Sequence, residues 1–185
     1  MKYWQFDYNP ADVIARVVAS GSLPDQRSYQ YYPTPSALAA ELVEWAEINA
    51  SDSLLEPSAG QGGIATLLPA DQTLCVEISP LHCSILREKG LHVVEADFLG
   101  WDSPDRYSAV LMNPPFSEGR WQAHVEKAGR CIAADGRLLG ILPASARGKL
   151  EELLPGFRVE YGRTVSGAFD GTGISVILFK ALRSA

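Results

Sequence analysis

Asn113, Pro114, Pro115 and Phe116 follow one another directly. Two successive prolines fix φ, remove two backbone N–H donors and push the preceding residue out of the helical region, so the backbone here offers only carbonyl acceptors in a stiff frame. With an amide side chain at one end and an aromatic ring at the other, the stretch suits the holding of a planar amino group. The Asn113 oxygen and the Pro114 carbonyl would accept its two protons while Phe116 stacks on the ring that carries it. The nitrogen lone pair is then free to attack. The competing reading is a plain strand end with Phe116 in the core.

The elements that must position this turn are legible on either side of it. Tyr107 to Met112 is an apolar run of the kind that forms a buried strand, which puts Asn113 at its carboxyl end, the ligand-binding end of an open α/β sheet. Ser53 to Pro57 predicts a first core strand, followed by the glycine-rich run Ser58 to Ala65 and a helical stretch to about Leu68. Strand, glycine turn and helix form a nucleotide-cofactor arrangement, and Gly60, Gly62 and Ala65 satisfy the dinucleotide spacing. The Glu56 carboxylate beside that loop would repel a pyrophosphate, and suits an ammonium-bearing, phosphate-free ligand such as the methionine end of S-adenosylmethionine.

Thr73 to Val76 predicts a second strand ending in Glu77 and Ile78, where an acid takes ribose hydroxyls and an apolar neighbour packs on adenine. A helix over Pro80 to Lys89, closed by Gly90, leads to a third strand, Leu91 to Val94. Asp97 beyond it can accept an adenine amine, and Phe98 can lie on the ring. Three successive strands thus end in an acid at one rim.

The remaining elements frame the sheet. Tyr3, Trp4, Phe6 and Tyr8 precede a helix from about Pro10 to Ser20 whose Val13, Ile14, Val17 and Val18 form one stripe, read as an extension covering part of the sheet. A loop over residues 21–32 leads to a helix over Ala37 to Asn49 with Ser36 as N-cap. Helices over Glu118 to Ala134 and Ser145 to Leu154 flank a strand, Arg137 to Pro143. Phe157 to Val165 and Gly173 to Ala181 predict an antiparallel pair at a sheet edge, and the large apolar Phe169 in their connection is a candidate to pack on an extruded base.

Composition bounds the function classes. The 185 residues, 46% of them hydrophobic, suffice for one domain with a proper core. A net charge of −6 is not the footprint of a tight nucleic-acid binder, and Arg120, Lys127, Arg130, Arg147 and Lys149 are the one basic cluster. Cys75, Cys83 and Cys131 indicate neither a disulfide framework nor a zinc site, no metal is expected, and His82 reads as structural or solvent-facing. No signal core or bilayer-length apolar run is present, so a reducing cytoplasmic setting is expected.

Tyr32-Pro33-Thr34-Pro35, Glu56-Pro57-Ser58-Ala59-Gly60, Glu77-Ile78, Glu95-Ala96-Asp97-Phe98, Asn113-Pro114-Pro115-Phe116 and Ala168-Phe169 together resemble the adenine-N6 amino-methyltransferases, especially small stand-alone enzymes of phage and plasmid kind. The resemblance spans residues from about 29 to 181. It implies an α/β, Rossmann-like class I methyltransferase fold: a seven-stranded, mostly parallel sheet with helices on both faces and one antiparallel edge strand. Residues 1–28 would be an N-terminal extension and 29–185 a single methyltransferase domain without a separate target-recognition domain.

The cofactor implied is S-adenosylmethionine. Carried over by position, Thr34 and Gly60 hold its methionine end, Glu77 its ribose, and Asp97 and Phe98 its adenine. Tyr32, Glu56, Pro57, Ser58, Gly62, Ile78 and Asn113 complete the expected cofactor set. Asn113 to Phe116, with Phe169, take the target. The expected activity is methylation of adenine N6 in DNA, with RNA adenine or a protein glutamine amide as the alternative, and a non-catalytic or nicotinamide-binding Rossmann domain as the reading of another class. DNA binding is expected to be weak and salt-sensitive, with relaxed specificity or a targeting partner protein, and no membrane partner is expected.

Overall fold

The computed structural model describes residues 9–20, 32–169 and 173–184. Seven strands form one sheet: β1 (Leu54–Pro57), β2 (Thr73–Glu77), β3 (His92–Glu95), β4 (Tyr107–Met112), β5 (Ile132–Pro143), β6 (Phe157–Val165) and β7 (Val176–Arg183). Their order is β3-β2-β1-β4-β5-β7-β6. The first five run parallel, and β7 runs antiparallel to both β5 and β6. The reversed strand thus lies one in from the edge, which β6 forms.

Alternation along the central strands builds a core on each face. Val110 and Met112 of β4 face α4 (Arg120–Cys131), packing with Trp121, Val125 and Ala128. Ala109 and Leu111 point the other way, to Leu38, Ala39, Leu42 and Ala46 of α2 (Ser36–Ala46). Both faces of the parallel part are therefore covered, as such strands require. Strand order reverses between β1 and β4, and a crevice opens beyond their carboxyl ends at such a point.

Helices follow the apolar periodicity except where a left-handed residue, a strand pairing or a proline interrupts it. Glu118 at φ 56° and Gly119 at φ 70° sit in a 3-10 turn, so α4 begins at Arg120, not at the expected Glu118. Its expected end at Ala134 gives way at Cys131, because Ile132 already pairs with Tyr107 as β5. Gly148 at φ 77° splits the expected helix over 145–154 into a 3-10 turn (Ala144–Ala146) and a single turn, α5 (Leu150–Leu153). The helix expected after the glycine loop is only a 3-10 turn, Ala65–Leu67, stopped before Pro69. Ser36 is the first residue of α2 and not its cap; Pro35 holds that position without a side-chain hydrogen bond.

The other helices are α1 (Ala11–Ser20) and α3 (Pro80–Glu88). α1 meets α3, with Ile14 52% and Val18 75% exposed. The aromatics at positions 3, 4, 6 and 8 lie outside the described residues.

Candidate active site

Where β1 and β4 end side by side, the glycine loop and the Asn113 turn enclose a cavity of about 270 Å³. β4 is buried almost throughout, so Asn113 is delivered on a rigid stem. Its Nδ2 donates to Thr34 Oγ1 at 3.0 Å, which leaves Oδ1 as the acceptor with no partner among the described residues. The Pro114 carbonyl is likewise unoccupied there by any main-chain hydrogen bond. The turn presents two open oxygens, as its sequence requires.

Phe116 meets Phe169 edge-to-face, with ring centroids 5.9 Å apart at 83°, and Phe169 meets Tyr32 in the same manner at 6.2 Å and 68°. All three rings line the cavity. An edge-to-face pair at that spacing leaves no slot for a flat ring between them, so a base entering beside Phe116 must shift Phe169 or stack on another face of the trio.

The opposite wall belongs to the glycine loop and the rim of β2 and β3. Ser58 at φ 60° and Gly60 at φ 56° are both left-handed, a conformation that costs a non-glycine residue about 1 kcal/mol and turns the loop back over the strand ends. Glu77, 5% exposed, accepts from Gly60 N–H at 2.7 Å and from Ser79 N–H at 2.8 Å, tying the loop to the end of β2. Burial alone would raise its carboxyl, but His82 and those two N–H groups outweigh it and hold Glu77 below the usual carboxylate range. It is an ionised acceptor on the wall. Asp97 is exposed, with Oδ1 receiving Leu99 N–H at 3.1 Å.

Tyr32, Thr34, Ser58, Gly60, Glu77, Ile78, Asp97, Phe98, Asn113 to Phe116 and Phe169 all line this cavity. Glu56, Pro57 and Gly62 do not. Glu56 is 3% exposed; burial first, then the neighbouring Glu77 charge, drive its carboxyl well above the usual range against a hydrogen bond from Ala65, and it sits in the core behind the cavity wall. The repulsion of phosphate argued from Glu56 therefore belongs to Glu77 and Asp97. Gly62 serves packing: a Cβ there would come within 3.0 Å of Leu86. Phe98 reaches the wall with only 2% of its surface, its ring engaged by Trp101 and His124. The apolar side chain left open for a flat ring is Ile78, 42% exposed.

No protein-family model matches the chain. It is 34% identical over 104 residues to a probable ribosomal RNA small subunit methyltransferase A of Methanopyrus kandleri, covering 52% of this chain and 37% of that protein. It is 27% identical over 88 residues to the tRNA1(Val) (adenine(37)-N6)-methyltransferase of Aliivibrio fischeri, covering 40% of this chain and 37% of that one. The chain thus spans little more than a third of the length of these relatives. Among solved structures, the Pyrococcus horikoshii protein PH1948 superimposes with a TM-score of 0.68 at 20% identity, over 94% of this chain and 96% of that one. A dimethyladenosine transferase from Plasmodium falciparum gives 0.66 at 16% identity, over 82% and 63%. The fold is that of the class I methyltransferases.

Homologous methyltransferases of this fold use S-adenosylmethionine. The cavity of this methyltransferase fold fits that group on its own chemistry: two carboxylates and no phosphate-sized cluster of cations on the β2–β3 rim, left-handed backbone at Gly60, and an exposed Ile78 for a flat ring. Sequence reasoning missed Gly63, His82, Arg120 and His124, which also line the cavity. His82, read as structural or solvent-facing, is buried with Nδ1 3.6 Å from Glu77 Oε1. His124 had a signal: it falls three residues after Trp121 on the apolar stripe that continues through Val125 and Ala128, a polar residue on a core face.

Proposed function

We propose that the chain is an S-adenosylmethionine-dependent N-methyltransferase acting on the N6 amine of adenine in RNA. The observation that carries the reading is the Asn113 amide. With Nδ2 committed to Thr34, Oδ1 stands beside the Pro114 carbonyl as one of two acceptors at the end of a buried strand. An aromatic amine has its lone pair delocalised into the ring; two acceptors that draw its protons out of plane localise the pair on nitrogen. Phe116 and the rings beside it hold the base flat in the cavity.

When bound, S-adenosylmethionine supplies a methyl group on a positively charged sulfur. Glu77 is placed to take the ribose hydroxyls, Asp97 and Ile78 the adenine, and Ser58, Gly60 and Thr34 the methionine end. Glu56, Pro57 and Gly62 act behind the wall, shaping the loop. The amine proton becomes acidic only once nitrogen carries the methyl, so Asn113 Oδ1 and the Pro114 carbonyl suffice to guide it to water, without a strong base.

RNA ranks before DNA because the named relatives act on ribosomal and transfer RNA, and one of them on adenine N6. Contacts to the polymer would come from short loops and from Arg120, Arg130, Arg147 and Lys149, with a net charge of −6 opposing them. Residues 29–185 serve as one catalytic unit, with α1 as an extension. The test is transfer of tritium from labelled S-adenosylmethionine to RNA, single-stranded DNA, duplex DNA and protein offered separately. Label in RNA is expected; label in DNA or protein with none in RNA rejects the substrate assignment.

A further inference from the structure

His124 lies on the cavity wall, one helical turn into α4, and the mechanism above does not use it. Its Nδ1 is 2.8 Å from the Arg120 carbonyl oxygen. A carbonyl oxygen can only accept, so Nδ1 carries a hydrogen and donates it. Burial, helped by the Arg120 charge, holds the imidazole below the ordinary histidine range, against the opposing pull of that hydrogen bond and of Asp97. The ring is therefore neutral near pH 7, with its remaining nitrogen, Nε2, a bare acceptor. Nε2 has no hydrogen-bond partner among the described residues, and it is not one of the sealed, unpartnered polar atoms of the core. His124 is buried and is one of the residues that line the cavity.

Place and chemistry then coincide. The imidazole packs against Phe98, ring centroids 5.7 Å apart at 36°, and Phe98 is the direct neighbour of Asp97. His124 and Asp97 thus both line the end of the cavity where β3 runs out. A 6-aminopurine offers two N–H donors on its exocyclic nitrogen, and one carboxylate oxygen satisfies only one of them well.

We propose that His124 Nε2 is a specificity-determining acceptor for the cofactor's adenine, taking the second hydrogen of the 6-amino group while Asp97 takes the first. This rests on the cofactor reading of the cavity. A purine with oxygen at position 6 would set a lone pair against both groups, so the pair selects adenosine over inosine in the cofactor.

The test compares binding of S-adenosylhomocysteine and its 6-oxo analogue, S-inosylhomocysteine, by calorimetry. Wild-type protein should prefer the adenosyl ligand. His124→Phe keeps a ring against Phe98 and removes the acceptor; it should weaken the adenosyl ligand about tenfold and leave the inosyl ligand within about twofold. His124→Gln, which restores an acceptor oxygen, should recover part of the loss. The ratio of the two affinities does not depend on how much of the variant is folded. An equal loss for both ligands, or none for either, overturns the proposal while leaving the cofactor assignment intact. Wild-type protein that binds neither ligand overturns both.

Discussion

Asn113 has one end of its amide committed, and that commitment decides what the other end can do. Thr34 Oγ1 receives Nδ2 at 3.0 Å, so Asn113→Ala removes the cavity-facing oxygen while leaving the cofactor wall in place. Methyl transfer by Asn113→Ala should fall about a hundred- to thousandfold, one of the two acceptors being lost from the transition state, while calorimetry finds S-adenosylmethionine affinity within a few-fold. Asp97→Ala should do the reverse, weakening the cofactor first. Loss of cofactor binding by Asn113→Ala would show that the two walls are not separate. Phe169 is 5% exposed, and its ring lies between those of Tyr32 and Phe116. Phe169→Ala should lower turnover more than its fall in melting temperature explains; a destabilised variant with full turnover per folded molecule would make it plain packing. These residues were legible because a Pro-Pro turn and acids at strand ends announce themselves locally. Glu56 was not fully legible for a physical reason: its place in the strand says it is near the loop, but only the fold shows its carboxyl buried behind the cavity wall.

Elements position the site through contacts that single side chains do not reveal. A Cβ on Gly63 would lie 3.1 Å from the Thr34 Cβ, so the loop after β1 and the segment before α2 touch at the residue that orients Asn113. Gly63→Ala should therefore reduce turnover severalfold with little change in melting temperature; an equal loss in both, in a paired kinetic and thermal measurement, would mean general disruption. A second junction joins α2, β4 and β5: Arg137 bonds Asp52 and the carbonyls of Ala46 and Glu47, and Ser108 Oγ donates to Asp52 Oδ1 at 2.7 Å. Burial on its own would raise the Asp52 carboxyl, but hydrogen bonds from Arg137, the Asn49 N–H and Ser108 bring it from its ordinary 3.8 to about 2. A depressed folded-state value stabilises above the unfolded one, so this junction contributes about 2 kcal/mol above pH 4 and loses it as pH falls from about 4 to 2. Asp52→Asn should flatten the stability profile across that window in denaturant titrations at stepped pH. β4 and β6 have the bounds their apolar runs predicted, whereas helix bounds shifted where Glu118 and Gly148 turn left-handed and where Ile132 joins β5. Apolar periodicity carries no information about such turns.

At the scale of the whole molecule, the sheet order explains why distant residues meet. β1 and β4 are neighbours, so a loop at positions 58–63 and a turn at 113–116 face each other across one crevice although some 50 residues separate them. No helix among the described residues is long and apolar enough to cross a membrane. With a net charge of −6, RNA affinity should be modest and should fall as salt rises from 50 to 200 mM, each phosphate contact adding about −0.7 to the slope of log K against log salt. Fluorescence anisotropy of a labelled RNA measures that slope, and salt-independent binding would point to a different kind of partner. The identity of the product decides whether the Asn113 turn methylates adenine N6. RNA incubated with the protein and S-adenosylmethionine, then digested to nucleosides and analysed by mass spectrometry, should contain N6-methylated adenosine that is missing when Asn113→Ala replaces the wild-type chain. Methylation on another base, on the ribose, or at equal levels with Asn113→Ala would contradict it.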